Sequence, residues 1–223
     1  MKQNKNLIFQ VNISSTAPKP CGSKNFFYTP TLFEFSNQRA EQYAHKCGAD
    51  YFCLDTAEWL GHTVAPVYHK MFVFELFKQG YDRIFWIDSD AVFTPIAPNV
   101  FDVFEGFSAV REHNPSQRGN QQIGCGVDWR YFMSGQMMLT REWYEVCEPH
   151  WRRTFEEMFT NPHAKHDQGI FNRLAHDHYP HYTDMGQDWG SWQRVGRYIR
   201  HYWGPTKKSF DLNRHLAWES KLK

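Results

Sequence analysis

The apolar residues of this chain recur in two rhythms. Leu7–Ile13 (LIFQVNI), Asp50–Asp55 (DYFCLD), Arg83–Asp88 (RIFWID), Phe107–Arg111 and Tyr131–Thr140 are runs of strand length, rich in β-branched and aromatic side chains. Between them the spacing turns helical. Ser36–Cys47 reads as a helix, with Ser36 as its N-cap and Gly48 as its stop. Ala65–Gln79 is a second, with Pro66 in the first turn, Gly80 just beyond the end, and Val67, Met71, Phe74 and Phe77 at helical spacing. Its extra apolar positions imply burial on more than one side. Arg141–Phe159 and His166–Ala175 are read as two more helices. Ser14–Asn25, with two prolines, a glycine and small polar residues, is a loop. Beyond Ala175 the pattern blurs into a polar tail rich in His and Trp, where strands are expected without fixed bounds. Strands alternating with helices predict an α/β fold, a mostly parallel central sheet flanked by helices. No repeat, low-complexity tract or linker divides residues 1–223, so one domain is expected.

Charge and composition narrow the function classes. The 223 residues carry 25 basic and 24 acidic side chains, a net +1 that argues against a nucleic-acid binder. The longest apolar runs, Met71–Phe74 and Ile84–Ile87, fall far short of the ~20 residues of a membrane span. Met1 to Asn6 leads into a strand-like run and not into the core of a signal peptide. Five cysteines, at 21, 47, 53, 125 and 147, form no metal-type spacing, and their odd number argues against a disulfide framework. The expectation is a reduced, cytoplasmic protein, with a peripheral contact to acidic lipid through Arg194–Arg200 and Lys221–Lys223 left open. Phe, Tyr and Trp make up 17% of the chain, beside 12 His. Such flat groups fill cores and also stack on sugars and bases, which makes Trp189, Trp192 and Trp203 candidate sugar platforms. His150, His163, His166, His176, His178 and His181 lack the spacing of a zinc helix and are read as surface or loop residues, with His166, beside Asp167, the candidate exception.

Candidate chemistry concentrates at Asp88-Ser89-Asp90, which follows the apolar run Ile84–Ile87. In an open α/β sheet ligands bind beyond the carboxyl ends of the strands. Two carboxylates one residue apart on such a turn can both reach a hard divalent cation, which in turn clamps a diphosphate. Acids after a strand can also merely cap a helix or face solvent.

Here the residues resemble a family. Ala65–Phe93 (APVYHKMFVFELFKQGYDRIFWIDSDAVF) is similar to the DxD region of nucleotide-sugar glycosyltransferases of the GT-A type. The likeness is greatest to family 8, the glycogenin and galactosyltransferase group, and to family 34. His201-Tyr202-Trp203-Gly204-Pro205-Thr206-Lys207 resembles the family 8 motif HxxGxxKPW, with Lys208-Ser209 in place of Pro-Trp. Phe132 to Leu139 resembles the family's "F-N-S-G-x-M-L" strand, and Asp167-Gln168 its "D-Q" at a helix start.

The resemblance implies a GT-A-like (Rossmann-like) fold, with a nucleotide-binding part over about 1–110 and a catalytic and acceptor part over about 111–223. It implies that Asp88, Asp90 and His201 hold Mn²⁺ or Mg²⁺ and that a UDP-sugar is the donor. Phe9, Val11, Asn12, Lys70, Ser89, Ser134, Gly135, Gly204 and Lys207 join the acids in donor binding, and Asp167 and Gln168 sit at the reacting centre. The implied reaction is hexose transfer to a glycan, lipid-linked or protein acceptor with retention of configuration. An inverting enzyme would need a carboxylate base, for which Asp128 and Asp188 are candidates. A second reading is a haloacid-dehalogenase-type phosphatase, since Asp88 to Val92 fits its DxDx(T/V) motif, with Asp184 and Asp188 as distal acids. A third is a non-catalytic module that binds sugar nucleotides or glycans.

Overall fold

A computed structural model describes residues 4–13, 29–61, 64–112, 124–125, 128–160, 167–190, 196–202, 206–207 and 210–222. The strands are β1 (Asn6–Val11), β2 (Asp50–Leu54), β3 (Arg83–Ile87), β4 (Ala91–Phe93), β5 (Ser108–Arg111), β6 (Phe132–Thr140), β7 (Thr183–Asp184) and β8 (Ile199–His201). Six of them form one sheet in the order β2-β1-β3-β6-β5-β7, while β4 and β8 pair apart from it. The sheet is mostly parallel: β1 runs parallel to β2 and β3, and β5 to β7, whereas β6 runs antiparallel to β3 and β5.

Side chains alternate across this sheet with the period of two that strands impose. Leu7, Phe9, Ile84, Trp86, Met137 and Leu139 join one core layer. Ile8, Phe85, Ile87 and Met138 join the other. Burial on both faces explains why β1 and β3 read as nearly unbroken apolar runs.

The helices are α1 (Pro30–Lys46), α2 (Val73–Lys78), α3 (Val100–Val103), α4 (Arg141–Cys147), α5 (Trp151–Thr160), α6 (Asp167–His178) and α7 (Leu212–Glu219). Several depart from expectation. Helix α1 begins at Pro30, whose fixed φ suits a first turn, so Ser36 is an interior residue and not an N-cap. Buried there, Ser36 donates its hydroxyl to Ala91 O at 2.5 Å. The segment expected as one helix over 65–79 is a 3₁₀ stretch, Pro66–Phe72, that passes into α2. Arg141–Phe159 divides into α4 and α5 at a turn over residues 148–150, where Pro149 lacks the amide a continuous helix needs. Helix α7 lies in the tail where strands were expected, and its N-cap Asp211 accepts from Arg214 N at 3.0 Å.

Because β1 and β3 are parallel, both end at the same edge of the sheet. Antiparallel β6 begins there, and Asp167 starts α6 against it. Among the described residues no helix is long and apolar enough to cross a membrane. Cys47, Cys53, Cys125 and Cys147 are free thiols.

Candidate active site

A cavity of about 330 Å³ opens at this edge, lined by the ends of β1 and β3, the start of β6 and the start of α6. Its floor is held by a polar relay beneath the DxD turn. Tyr51 donates to Gln10 Oε1 at 2.9 Å, and Gln10 Nε2 donates to Ser36 Oγ at 3.1 Å and to Asp88 O at 3.4 Å. Ser89 donates its hydroxyl to Val11 O, which ties the turn to the end of β1. Asp88 N donates to Gly135 O at 2.8 Å, which ties it to β6.

Antiparallel pairing of β4 with β8 sets His201 opposite Ala91, one residue past the turn. His201 Nε2 lies 3.0 Å from Asp90 Oδ1 and 3.7 Å from Asp88 Oδ2. One donor atom from each of Asp88, Asp90 and His201 lies within 4.8 Å of the others, the single such group of three among the described residues. Two carboxylate oxygens and an imidazole nitrogen suit a hard or borderline divalent ion. Gly135 leaves the necessary room, since a Cβ there would stand 2.9 Å from His201 Cε1 and 3.0 Å from Asp88 Oδ2. The residues present therefore fit a metal ion.

Two lysines neutralise the acids from opposite sides. Lys207 Nζ lies 2.6 Å from Asp90 Oδ2. Lys70, only 5% exposed, bridges Asp167 Oδ2 at 2.6 Å and Asp88 Oδ1 at 2.9 Å. It also donates to the backbone oxygen of Ser134 at 3.2 Å, while Ser134 Oγ donates to Asp167 Oδ2 at 2.6 Å. Burial by itself would lower the Lys70 pKa, but Asp167 and Asp88 outweigh it and hold the ammonium charged. Burial raises the Asp88 carboxyl, and neighbouring Asp90 adds to this against the pull of Lys70 and His201. Burial works the same way on Asp90, yet Lys207 and His201 hold it far below the usual carboxylate range. His201 is raised: its desolvation is outweighed by Asp90 and Asp88.

Asp167 and Gln168 share the cavity with the acids. The Gln168 amide is held at both ends, accepting from Ser134 N at 3.3 Å and donating to Glu112 Oε2 at 3.0 Å. Burial raises the Glu112 carboxyl, with the Gln168 hydrogen bond opposing it.

Of the residues expected to bind donor, Val11, Asn12, Lys70, Asp88, Ser89, Asp90, Ser134, Gly135 and Lys207 reach the cavity wall. Phe9 lies one layer below, stacked on Phe52 and edge-on to Trp86 in the core. Gly204, Trp192, Trp203, His163 and His166 lie outside the described residues. Trp189 packs in the core against Phe85 and Phe104, which removes it as a sugar platform. Asp128, Asp184 and Asp188 are exposed and do not line the cavity. Asp184 instead accepts from the backbone of Arg111 and Gly186 at the sheet edge. Gln10, Ser36 and Glu112 were not anticipated. For Gln10 a signal existed, a polar residue inside the apolar run LIFQV. For Glu112 there was none.

No protein-family model matches the chain, and no curated protein does either. Solved structures do. The galactosyltransferase LgtC, in complex with donor and acceptor sugar analogues, superimposes with a TM-score of 0.59 at 12% identity, over 98% of this chain and 96% of that one. A glycosyltransferase involved in glycosylation of the major capsid of PBCV-1 gives 0.54 at 11% identity, over 82% and 83%. The glycosyltransferase GlyE of Streptococcus pneumoniae TIGR4 gives 0.54 at 16%, over 99% of this chain but 61% of its own. With TM-scores above 0.5 to these enzymes and 98% of this chain covered by LgtC, the fold of this chain is that of the GT-A glycosyltransferases.

Proposed function

We propose that the chain is a metal-dependent glycosyltransferase that moves a hexose from a UDP-sugar to a glycan, lipid-linked or protein acceptor with retention of configuration. The observation that carries this reading is the convergence of Asp88, Asp90 and His201 at the carboxyl end of β3. Support comes from Lys207 in the same cavity and from structural neighbours that are themselves glycosyltransferases. Asp88, Asp90 and His201 would hold Mn²⁺, or Mg²⁺ in its place. When bound, such an ion acts as a Lewis acid on diphosphate oxygens and lowers the charge of the leaving group.

The chain's own groups do the rest. Lys207 offers a point charge to the diphosphate. Lys70 keeps the carboxylate of Asp167 fixed, so that with Gln168 it can stabilise positive charge as it develops on the sugar. Retention needs no separate carboxylate base, because the departing phosphate oxygen can take the acceptor proton. This agrees with the position of Asp128 and Asp188 outside the cavity. The phosphatase reading has no matching support, since its distal acids, Asp184 and Asp188, are equally remote.

Thermal shifts with UDP-, GDP- and CMP-sugars, with and without Mn²⁺, test the reading. A UDP-sugar at 100 times its Kd should stabilise by about 2.7 kcal/mol, and only when Mn²⁺ is present. A shift indifferent to metal, or hydrolysis of simple phosphate esters without glycosyl transfer, would overturn it. Gly135→Ala tests the cradle. By pressing on His201 and Asp88 it should weaken Mn²⁺ affinity about 10–100-fold while the protein remains folded, as a direct Mn²⁺ titration would record.

A further inference from the structure

A third core cluster, Leu32, Phe33, Val92 and Tyr202 with Phe35 and Phe210 against it, lies between α1, β4, β8 and the segment leading to α7. Beside it runs a buried polar chain that the reaction above does not use. Tyr202 Oη is 2.6 Å from His215 Nδ1, and His215 Nε2 is 2.9 Å from Glu219 Oε1. Glu219 Oε2 meets Arg39 Nη2 at 2.5 Å. His215 is 1% exposed and Glu219 is 9% exposed.

The chain has one consistent arrangement of protons. A carboxylate only accepts, so His215 Nε2 must carry a hydrogen. Burial holds the imidazole below its ordinary pKa even against the pull of Glu219, so the ring is neutral and Nδ1 is an acceptor. Tyr202 is therefore the donor. Apolar residues could fill this space without the desolvation cost of an ion pair, whereas a fully satisfied polar chain selects a single orientation.

That orientation bears on the site because of where Tyr202 stands. Its amide donates to Asp90 O at 2.8 Å, and the residue before it is His201. The contacts close a circuit. Ser36 on α1 holds Ala91 O, Arg39 on α1 holds Glu219, α7 holds Tyr202 through His215, and Tyr202 returns to Asp90. The DxD turn and the His201 strand sit inside it.

We propose that His215 is a positioning residue for the cation site, fixing through Tyr202 the strand that presents His201 to Asp88 and Asp90. The proposal rests on the metal-site reading given above. Mn²⁺ binding, followed through the EPR signal of the free ion without nucleotide, tests it alongside the melting temperature of each variant. Wild type and Asp90→Asn establish whether the site binds Mn²⁺ at all. Tyr202→Phe removes one hydroxyl, His215→Phe keeps a ring but neither hydrogen bond, and His215→Gln keeps both a donor and an acceptor. Met158→Ala, buried in the opposite core layer, controls for lost stability.

Tyr202→Phe and His215→Phe should raise the Mn²⁺ Kd about tenfold, and His215→Gln should return to within about threefold of wild type. Met158→Ala should melt lower with its Mn²⁺ Kd unchanged. If Tyr202→Phe and His215→Phe bind Mn²⁺ like wild type, or Met158→Ala weakens it as much as they do, the positioning role is wrong and the metal site stands. Should wild type show no binding sensitive to Asp90→Asn, the metal site falls and the positioning role with it.

Discussion

Lys70→Met is expected to melt about 6–20 °C below wild type, the equivalent of about 3–5 kcal/mol. Lys70 is the cation between Asp88 and Asp167, and its removal leaves two acids facing each other across the space it filled. Methionine matches the aliphatic stem and supplies no charge, so the loss reflects electrostatics and not a cavity. Lys70→Arg is no remedy. The larger planar guanidinium must enter a site that is 5% exposed, at a cost of about 1–3 kcal/mol in overpacking. Adding Asp167→Asn to Lys70→Met should recover part of the stability, because the two residues are in direct contact and their effects do not add. Thermal denaturation of the single and double variants reads both quantities. A Lys70→Met melting point within about 2 °C of wild type would mean the bridge contributes little.

Asp90→Asn is expected to reduce glycosyl transfer by about 10²–10³-fold or more, together with metal-dependent stabilisation by a UDP-sugar. Three demands meet on this side chain. It is one of the three candidate ligands, its Oδ1 lies 3.0 Å from His201 Nε2, and its other oxygen holds Lys207 at 2.6 Å. The amide keeps the shape and loses the charge that all three require. Steady-state transfer assays and thermal shifts on the same preparations are the measurement. Full activity in a folded Asp90→Asn protein is incompatible with the proposed function.

Much of the framework was legible because its physics is local. Strand-length apolar runs gave β1, β2, β3, β5 and β6, and Pro66 and Gly80 bracketed the helical segment before β3. The readings that missed did so where a distant partner decided the outcome. Ser36 has the residue type of an N-cap, but Gln10 and Ala91, both far along the chain, draw it into the interior. Strands β4 and β8 are three residues each and exist through one another, so neither has a period to detect. The site divides in the same way. Asp88 and Asp90 could be suspected from a single strand and turn. Lys70 could be noticed only as a charge in an apolar helix, and its bridging of Asp88 to Asp167 depends on three elements meeting. Glu112 and His215 carry no signal of their own, since each acquires a role from the residue it touches.

The pairing of Ala91–Phe93 with Ile199–His201 also orders events in time. Asp90 and His201 are 111 positions apart, so a chain made from its N-terminus carries the acids long before their imidazole and Lys207 exist. Closing that loop is among the slowest kinds of contact a chain must form. The cation cluster should thus assemble at the end of folding, and capture of Mn²⁺ during refolding would serve as a clock for its last step.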